Sequence, residues 1–155
     1  MADFEIDADD LAEALDAYAL DLERQMTRAM RNGGAMLAAE ARARAPRGPT
    51  SHLAGSIQGI EPTGSFLAGT LSGGAVAIAA YAEYVESGTD PHEIRPRYRS
   101  ALRWPALGGF RFARRVHHPG TRAQPFMEPA LDAVAERIVA EMQAAADLAA
   151  ARAGL

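Results

Sequence analysis

Four histidines, His52, His92, His117 and His118, are the residues of this chain best suited by type to hold a metal. Zinc sites use histidines on one helical face or clusters of histidine and cysteine. The chain has no cysteine, and His117 and His118 are adjacent, so on a strand they point to opposite faces. They read better as loop and interface residues. Ser51, His52 and Ser56 raise nucleophilic catalysis, but there is no G-x-S-x-G elbow. Adjacency in sequence does not by itself bring a hydroxyl onto an imidazole. Glu83 and Glu86 stand three apart, a spacing that on a helical turn more often gives a solvated face or an arginine partner than an acid–base pair. No complete catalytic constellation emerges, so the expectation is a binding protein without catalytic residues, cofactor or metal.

Arginine carries a stronger signal. All 16 cationic residues are arginine and none is lysine, which excludes a Walker-type phosphate loop and a Schiff-base mechanism. Residues 94–127 hold eight arginines (Arg95, Arg97, Arg99, Arg103, Arg111, Arg114, Arg115 and Arg122) and no acid. Tyr98, Trp104, Phe110 and Phe112 are interleaved with them, a mixture that suits nucleic-acid binding. The alternative is that the aromatics fill a small core while the arginines face a neighbour's carboxylates. The net charge of −4 favours this alternative, because dedicated nucleic-acid binders are usually basic overall. Residues 1–23 carry nine acids (Asp3, Glu5, Asp7, Asp9, Asp10, Glu13, Asp16, Asp21 and Glu23) and no arginine. The chain is a charge dipole in sequence, and its two poles can pair within a subunit or between subunits.

The elements that must position these residues are modest. At 155 residues the chain fits a single domain, residues 1–155. Of its residues 35 are alanine, and Leu, Ile, Val and Phe together number only 29, which implies a thin core that gains burial by assembly. The acidic start lacks the marks of a signal peptide and no apolar run approaches a membrane span, so a soluble protein made in the cytoplasm is expected. Leu11, Leu15, Tyr18, Leu22, Met26 and Met30 fall on one face of an acidic N-terminal helix over 9–45, with Gly33 and Gly34 expected to bend or loosen it. A β-rich middle follows over 53–116. Its strands are expected at 53–61, 66–72 and 75–80, the last lying mid-sheet. One or two helical turns over 81–87 bury Tyr81, Tyr84 and Val85 and close at Gly88. Residues 90–100 read as loop, and a hairpin joins Ala101–Trp104 to Phe110–Val116, with Phe110 and Phe112 on one face and Arg111 on the other. Pro119 and Gly120 make a turn. After Pro125, Phe126 anchors a C-terminal helix over 126–151 with the stripe Met127, Leu131, Val134, Ile138, Met142 and Leu148. The fold class is α+β: a long N-terminal helix and a C-terminal helix packed on a small antiparallel β-sheet.

Several motifs occur in an order that resembles a family of tail components from lambda-like siphophages, the neck, head–tail joining or tail-completion proteins. A long helix ends in A-R-A-R-A-P (Ala41–Pro46). T-S-H-L-A-G-S-I (Thr50–Ile57) is similar to a T-G-x-L-x-x-S-I loop whose glycine is replaced by Ser51 or displaced. Y-A-E-Y-V-E-S-G-T (Tyr81–Thr89), H-E-I-R-P (His92–Pro96), A-L-R-W, and H-P-G with P-F-M-E-P-A (His118–Ala130) complete the series. The resemblance spans roughly 10–145. It implies a virion protein that acts at the head–tail junction by closing into a homo-oligomeric ring of sixfold symmetry. Its partners would be other copies of itself and other neck and tail proteins. DNA would pass through the channel without sequence-specific binding, and no membrane would be involved. A tail terminator or minor tail protein is the alternative, and a nucleic-acid module using the arginine-rich hairpin is a further one. The charge dipole places the expected assembly interface at Arg95, Arg97, Arg99, Arg103, Arg111, Arg114 and Arg115, opposite Asp9, Asp10, Glu13 and Asp16. Tyr81, Tyr84, Glu86, Gly88, Thr89, Pro119, Gly120, Pro125 and Phe126 carry the motifs and are expected to be structural.

Overall fold

A computed structural model describes residues 8–48 and 50–154. The acids Asp3, Glu5 and Asp7 lie outside the described residues. The chain divides into two compact units, one formed by residues 1–79 with 126–155 and the other by the intervening 80–125. The fold is mixed α+β, with a long helix near each end of the chain and small antiparallel sheets between them.

The first unit is built on helix α1 (Ala8–Arg44), followed by the single turn α2 (His52–Gly55), strands β1 (Ile57–Thr63) and β2 (Ser72–Ala77), and the C-terminal helix α4 (Met127–Ala153). Helix α1 packs along α4 and across the β1–β2 pair. Three contacts show that the two helices run antiparallel: Arg152 lies 3.3 Å from Asp21, Asn32 Nδ2 donates to Glu141 Oε1 at 2.5 Å, and Gly33 faces Ile138. Helix α1 runs unbroken through Gly33 and Gly34. Their role is close approach. A Cβ on Gly34 would stand 2.5 Å from the carbonyl oxygen of Gly74, and one on Gly33 would stand 3.0 Å from Ile138 Cγ2. Gly59 of β1 also lies against the Gly34 backbone. Glycines therefore let the helix lie on the sheet and its partner helix at backbone distance.

The buried set is small-residue rich. Ala29, Ala38, Ala41, Ala45, Ala130 and Ala149 are buried, and Phe126, Ile57 and Val134 are the largest fully buried side chains. The core-facing stripe of α4 runs through Ala130, Val134 and Ala149, with Ile138 half-buried beside it. Leu131 and Leu148, expected in that stripe, are exposed. The three expected strands resolve differently. Residues 66–69 are a turn, 52–55 are helical, and the apolar run 75–80 enters a two-stranded pairing rather than the middle of a sheet. Ser51, which precedes α2, is the one described non-glycine residue at positive φ (49°), a conformation that favours glycine.

The second unit holds α3 (Ala82–Ser87), β3 (His92–Ile94), β4 (Leu102–Ala106), β5 (Gly109–Ala113) and β6 (Val116–His118). Strands β4 and β5 form the expected hairpin, closed by Leu107 and Gly108, with Gly108 and Gly109 both at positive φ. Segment 90–100, expected to be loop throughout, contributes β3, which pairs antiparallel with β6. The three sheets of the described residues are thus all two-stranded. An isolated two-stranded ribbon is marginal in water. Tyr81 and Tyr84, expected to be buried, are exposed, and Val85 is half-buried. Alanine Ala82 is the buried residue of α3.

Candidate assembly surface

The two motif stretches meet. Thr89 and Thr121 form an isolated antiparallel bridge, with Thr89 N–H donating to the Thr121 carbonyl at 2.9 Å and Thr121 N–H returning the bond at 3.0 Å. The Thr89 hydroxyl also accepts from Thr121 N–H, and Gln124 N–H donates to the Val85 carbonyl at 2.8 Å. Only glycine fits the two flanking positions. Gly88 (φ 74°) and Gly120 (φ 89°) lie in the left-handed region, and a Cβ would stand 2.6 Å from Thr121 O at the first and 2.4 Å from Thr89 O at the second. Pro119 and Pro125 bound the second stretch. The β3–β6 ladder continues the clasp, and within it the His92 and His118 rings stack at 5.1 Å. His118 Nδ1 accepts from Gly120 N–H at 3.1 Å. Everything between Thr89 and Thr121 is an excursion closed at its base.

The excursion carries the arginines. Arg95 pairs with Glu93, and Arg115 lies 3.6 Å from the other oxygen of the same carboxylate. Glu93 was not singled out by sequence reasoning. It follows His92 on β3, where its cross-strand partner is His117. Arg97 stands 6.0 Å from the ring of Tyr98, and Arg103 stacks over Phe110 at 3.6 Å. Arg99, Arg111 and Arg114 are exposed and make no ion pair among the described residues.

The aromatics do not form a core. Cross-strand pairing sets Arg103 opposite Phe112 and Pro105 opposite Phe110 on one face, and Trp104 opposite Arg111 on the other. Phe112 is 66% exposed, Tyr98 90%, and Leu107 at the hairpin tip is fully exposed. The expectation that these rings fill a small interior is corrected: there is too little chain in this unit to cover them. The result is a basic ribbon with Phe110 and Phe112 exposed on one face and Trp104 on the other.

The acids of the expected interface stand on the first turns of α1. Asp9, Asp10, Glu13 and Asp16 are all exposed, as are Leu11 and Leu15. Helix α4 ends at Ala153, and its last turn lies beside Ala14, Ala17 and Tyr18 around a shallow cleft of about 290 Å³. The turns of α1 before Ala14 therefore extend past the end of their partner helix. Asp10, Glu13 and Asp16 make no ion pair among the described residues.

A further acid missed in the sequence is Glu23. Its carboxylate accepts from the backbone N–H of Phe66 and Leu67 and from the Ser65 hydroxyl, each at 3.0 Å, and so ties the β1–β2 loop to α1. The Leu67 amide contributes most to holding this carboxyl below the usual glutamate value; desolvation opposes it, and Phe66 and Ser65 add to the lowering. No local motif marks Glu23, because its partners lie more than forty residues away. Among the described residues no helix is long and apolar enough to cross a membrane, and no three His, Asp or Glu side chains gather as a ligand set.

No curated protein and no solved structure matches this chain. A family model does, described as "Bacteriophage HK97-gp10, putative tail-component", over residues 9–88. The match takes in α1, the Thr50–Ile57 loop, the β1–β2 pair and α3, and ends at the clasp glycine Gly88. It covers just over half of the chain, and the chain belongs to the HK97-gp10-like family of bacteriophage tail components.

Proposed function

We propose that this tail component works at the head–tail junction, as a neck or tail-completion subunit that closes into a homo-oligomeric ring of sixfold symmetry through which DNA passes. It works by binding, without catalysis or cofactor, in the virion, after synthesis in the host cytoplasm. One observation carries the reading: the excursion between Thr89 and Thr121 is clasped at its base yet leaves Phe110, Phe112, Tyr98 and Leu107 uncovered among arginines. A ribbon of this kind is stabilised when a neighbouring protein covers it. Head-to-tail contacts between copies generate a closed ring when the rotation per subunit closes.

The test is a particle lacking this protein. Loss of the gene is expected to leave filled heads and separate tails, visible by electron microscopy, with joining restored by added protein. Tails of uncontrolled length would instead favour a tail terminator. Joined, normal particles would remove the reading. The interleaved arginines and exposed Trp104 and Phe112 support a second reading, single-stranded nucleic-acid binding. Binding that falls steeply with salt would be its signature.

A further inference from the structure

We infer that the β4–β5 hairpin of one copy docks on the overhanging first turns of α1 of a second copy, and that this joint, repeated head to tail, is what links the subunits. The inference rests on the ring reading above and names its contact surfaces. Three observations carry it. The hairpin region 101–115 holds Arg103, Arg111, Arg114 and Arg115 and no acid, whereas residues 9–16 of α1 hold Asp9, Asp10, Glu13 and Asp16 and no base. Among the described residues, Arg111 and Arg114 on one side and Asp10, Glu13 and Asp16 on the other make no ion pair. Each surface also carries uncovered apolar groups within the same few residues as its charge: Phe110, Phe112 and Leu107 on the hairpin, Leu11 (47% exposed) and Leu15 (52%) on the helix.

The geometry of α1 adds a reason for a partner at this place. Its turns before Ala14 have no α4 beside them, and a helical end without tertiary packing is weakly held. Leu11 and Leu15 are four apart and share one helical face, Asp9, Glu13 and Asp16 share the opposite one, and Asp10 stands on the flank between them, where a docked ribbon reaches round to both. A ribbon with an aromatic face and an arginine fringe presents both complements to that helix. Since the two surfaces are different patches of the same chain, the joint is heterologous and propagates around a ring.

The experiment uses charge reversal in the full chain. One variant carries R103E, R111E and R114E; the other carries D10R, E13R and D16R. Circular dichroism first establishes that both keep their helix content. Wild-type oligomer size is measured by light scattering. Each variant alone places like charges at every joint and is expected to self-associate more than about tenfold more weakly. An equimolar mixture places opposite charges at every joint and is expected to recover the wild-type size. If wild type assembles and the mixture does not recover, or if either variant assembles as wild type does, the docking is wrong while the ring stands. If wild type is monomeric by itself, disulfide trapping decides, because the chain has no cysteine of its own. An L15C chain and an L107C chain should then form a mixed dimer under oxidation, and an A68C control chain should not. Equal trapping in both overturns the docking. A wild type that stays monomeric even on tails removes the ring reading itself.

Discussion

Gly33 and Gly34 are neighbours on α1 with different obligations, and the difference is measurable. The atom that a Cβ on Gly34 would strike is the backbone oxygen of Gly74, which cannot move without displacing β2. The atom facing Gly33 is Cγ2 of the Ile138 side chain at 3.0 Å, a contact that a shift of a few tenths of an ångström relieves. Overpacking of this kind costs about 1–3 kcal/mol, whereas alanine in a helix recovers about 1 kcal/mol relative to glycine. Gly34→Ala is therefore expected to lower stability by about 1–2 kcal/mol and Gly33→Ala to stay within about 1 kcal/mol of wild type, read from urea unfolding midpoints. Equal losses would show that the two glycines do not differ in this way. Glu23 offers a pH test at the same scale. Its carboxyl is lowered from the ordinary value of 4.5, chiefly by the Leu67 amide. A group with a depressed folded-state pKa stabilises fully above its unfolded value, and the contribution is lost as pH falls through the folded one. The thermal midpoint of wild type should consequently decline on acidification below about pH 4.5 more steeply than that of Glu23→Gln. Parallel acid limbs would mean that the carboxylate is not what holds the loop.

At the scale of elements, the clasp is held by bonds within residues 80–125 and is expected to open without the first unit. Gly88 and Gly120 are each at positive φ and each against a backbone carbonyl of the opposing strand. Alanine at either position forces the Thr89–Thr121 bridge open. Amide exchange at Thr89, Thr121 and Gln124 should then accelerate by more than about tenfold, the change expected for a local loss above about 1.4 kcal/mol. Amides of Met26 and Ala38 in α1 should not respond. Uniform acceleration would show that the second unit does not open independently. The sequence made the ends of this structure readable but not its pairing. Pro46, Gly88 and the Pro119–Gly120 turn are local signals, and the helical period of α1 is strong, so those elements were legible. The alternation that separates Phe110 and Phe112 from Arg111 was legible too. What was not legible depends on distant partners. Residues 92–94 become a strand only because 116–118 lie alongside, and Gly33 and Gly34 read as helix-weakening because Gly74 and Ile138 cannot be seen from the local pattern. A net charge of −4 points the aromatics toward a core, but residues 80–125 are too few to bury them.

For the whole molecule, the groups that hold the fold and the groups proposed for assembly are different residues. Phe126, Ile57 and Val134 are the largest fully buried side chains, all in the first unit, while the hairpin contributes no buried residue. Truncating Phe126 to alanine should cost about 3–5 kcal/mol, a large part of the stability of a domain with so few large buried groups. Replacing Leu102–Ala113 by a short Gly-Ser connection removes no buried side chain and shortens a loop whose ends are already held together at Thr89 and Thr121. Loop-closure entropy changes only slowly with length, so the urea midpoint of the first unit should move by less than about 0.5 kcal/mol equivalent. Assembly should respond in the opposite sense. The hairpin-less chain should fold, remain a monomer, and fail to restore tail joining to particles that lack the wild-type protein. Phe126→Ala chains that do fold, at low temperature, should still join tails, because their hairpin and α1 start are intact. Joining by the hairpin-less chain would show that the exposed aromatics and arginines serve no assembly role. Stability lost together with joining would show that the ribbon belongs to the fold after all.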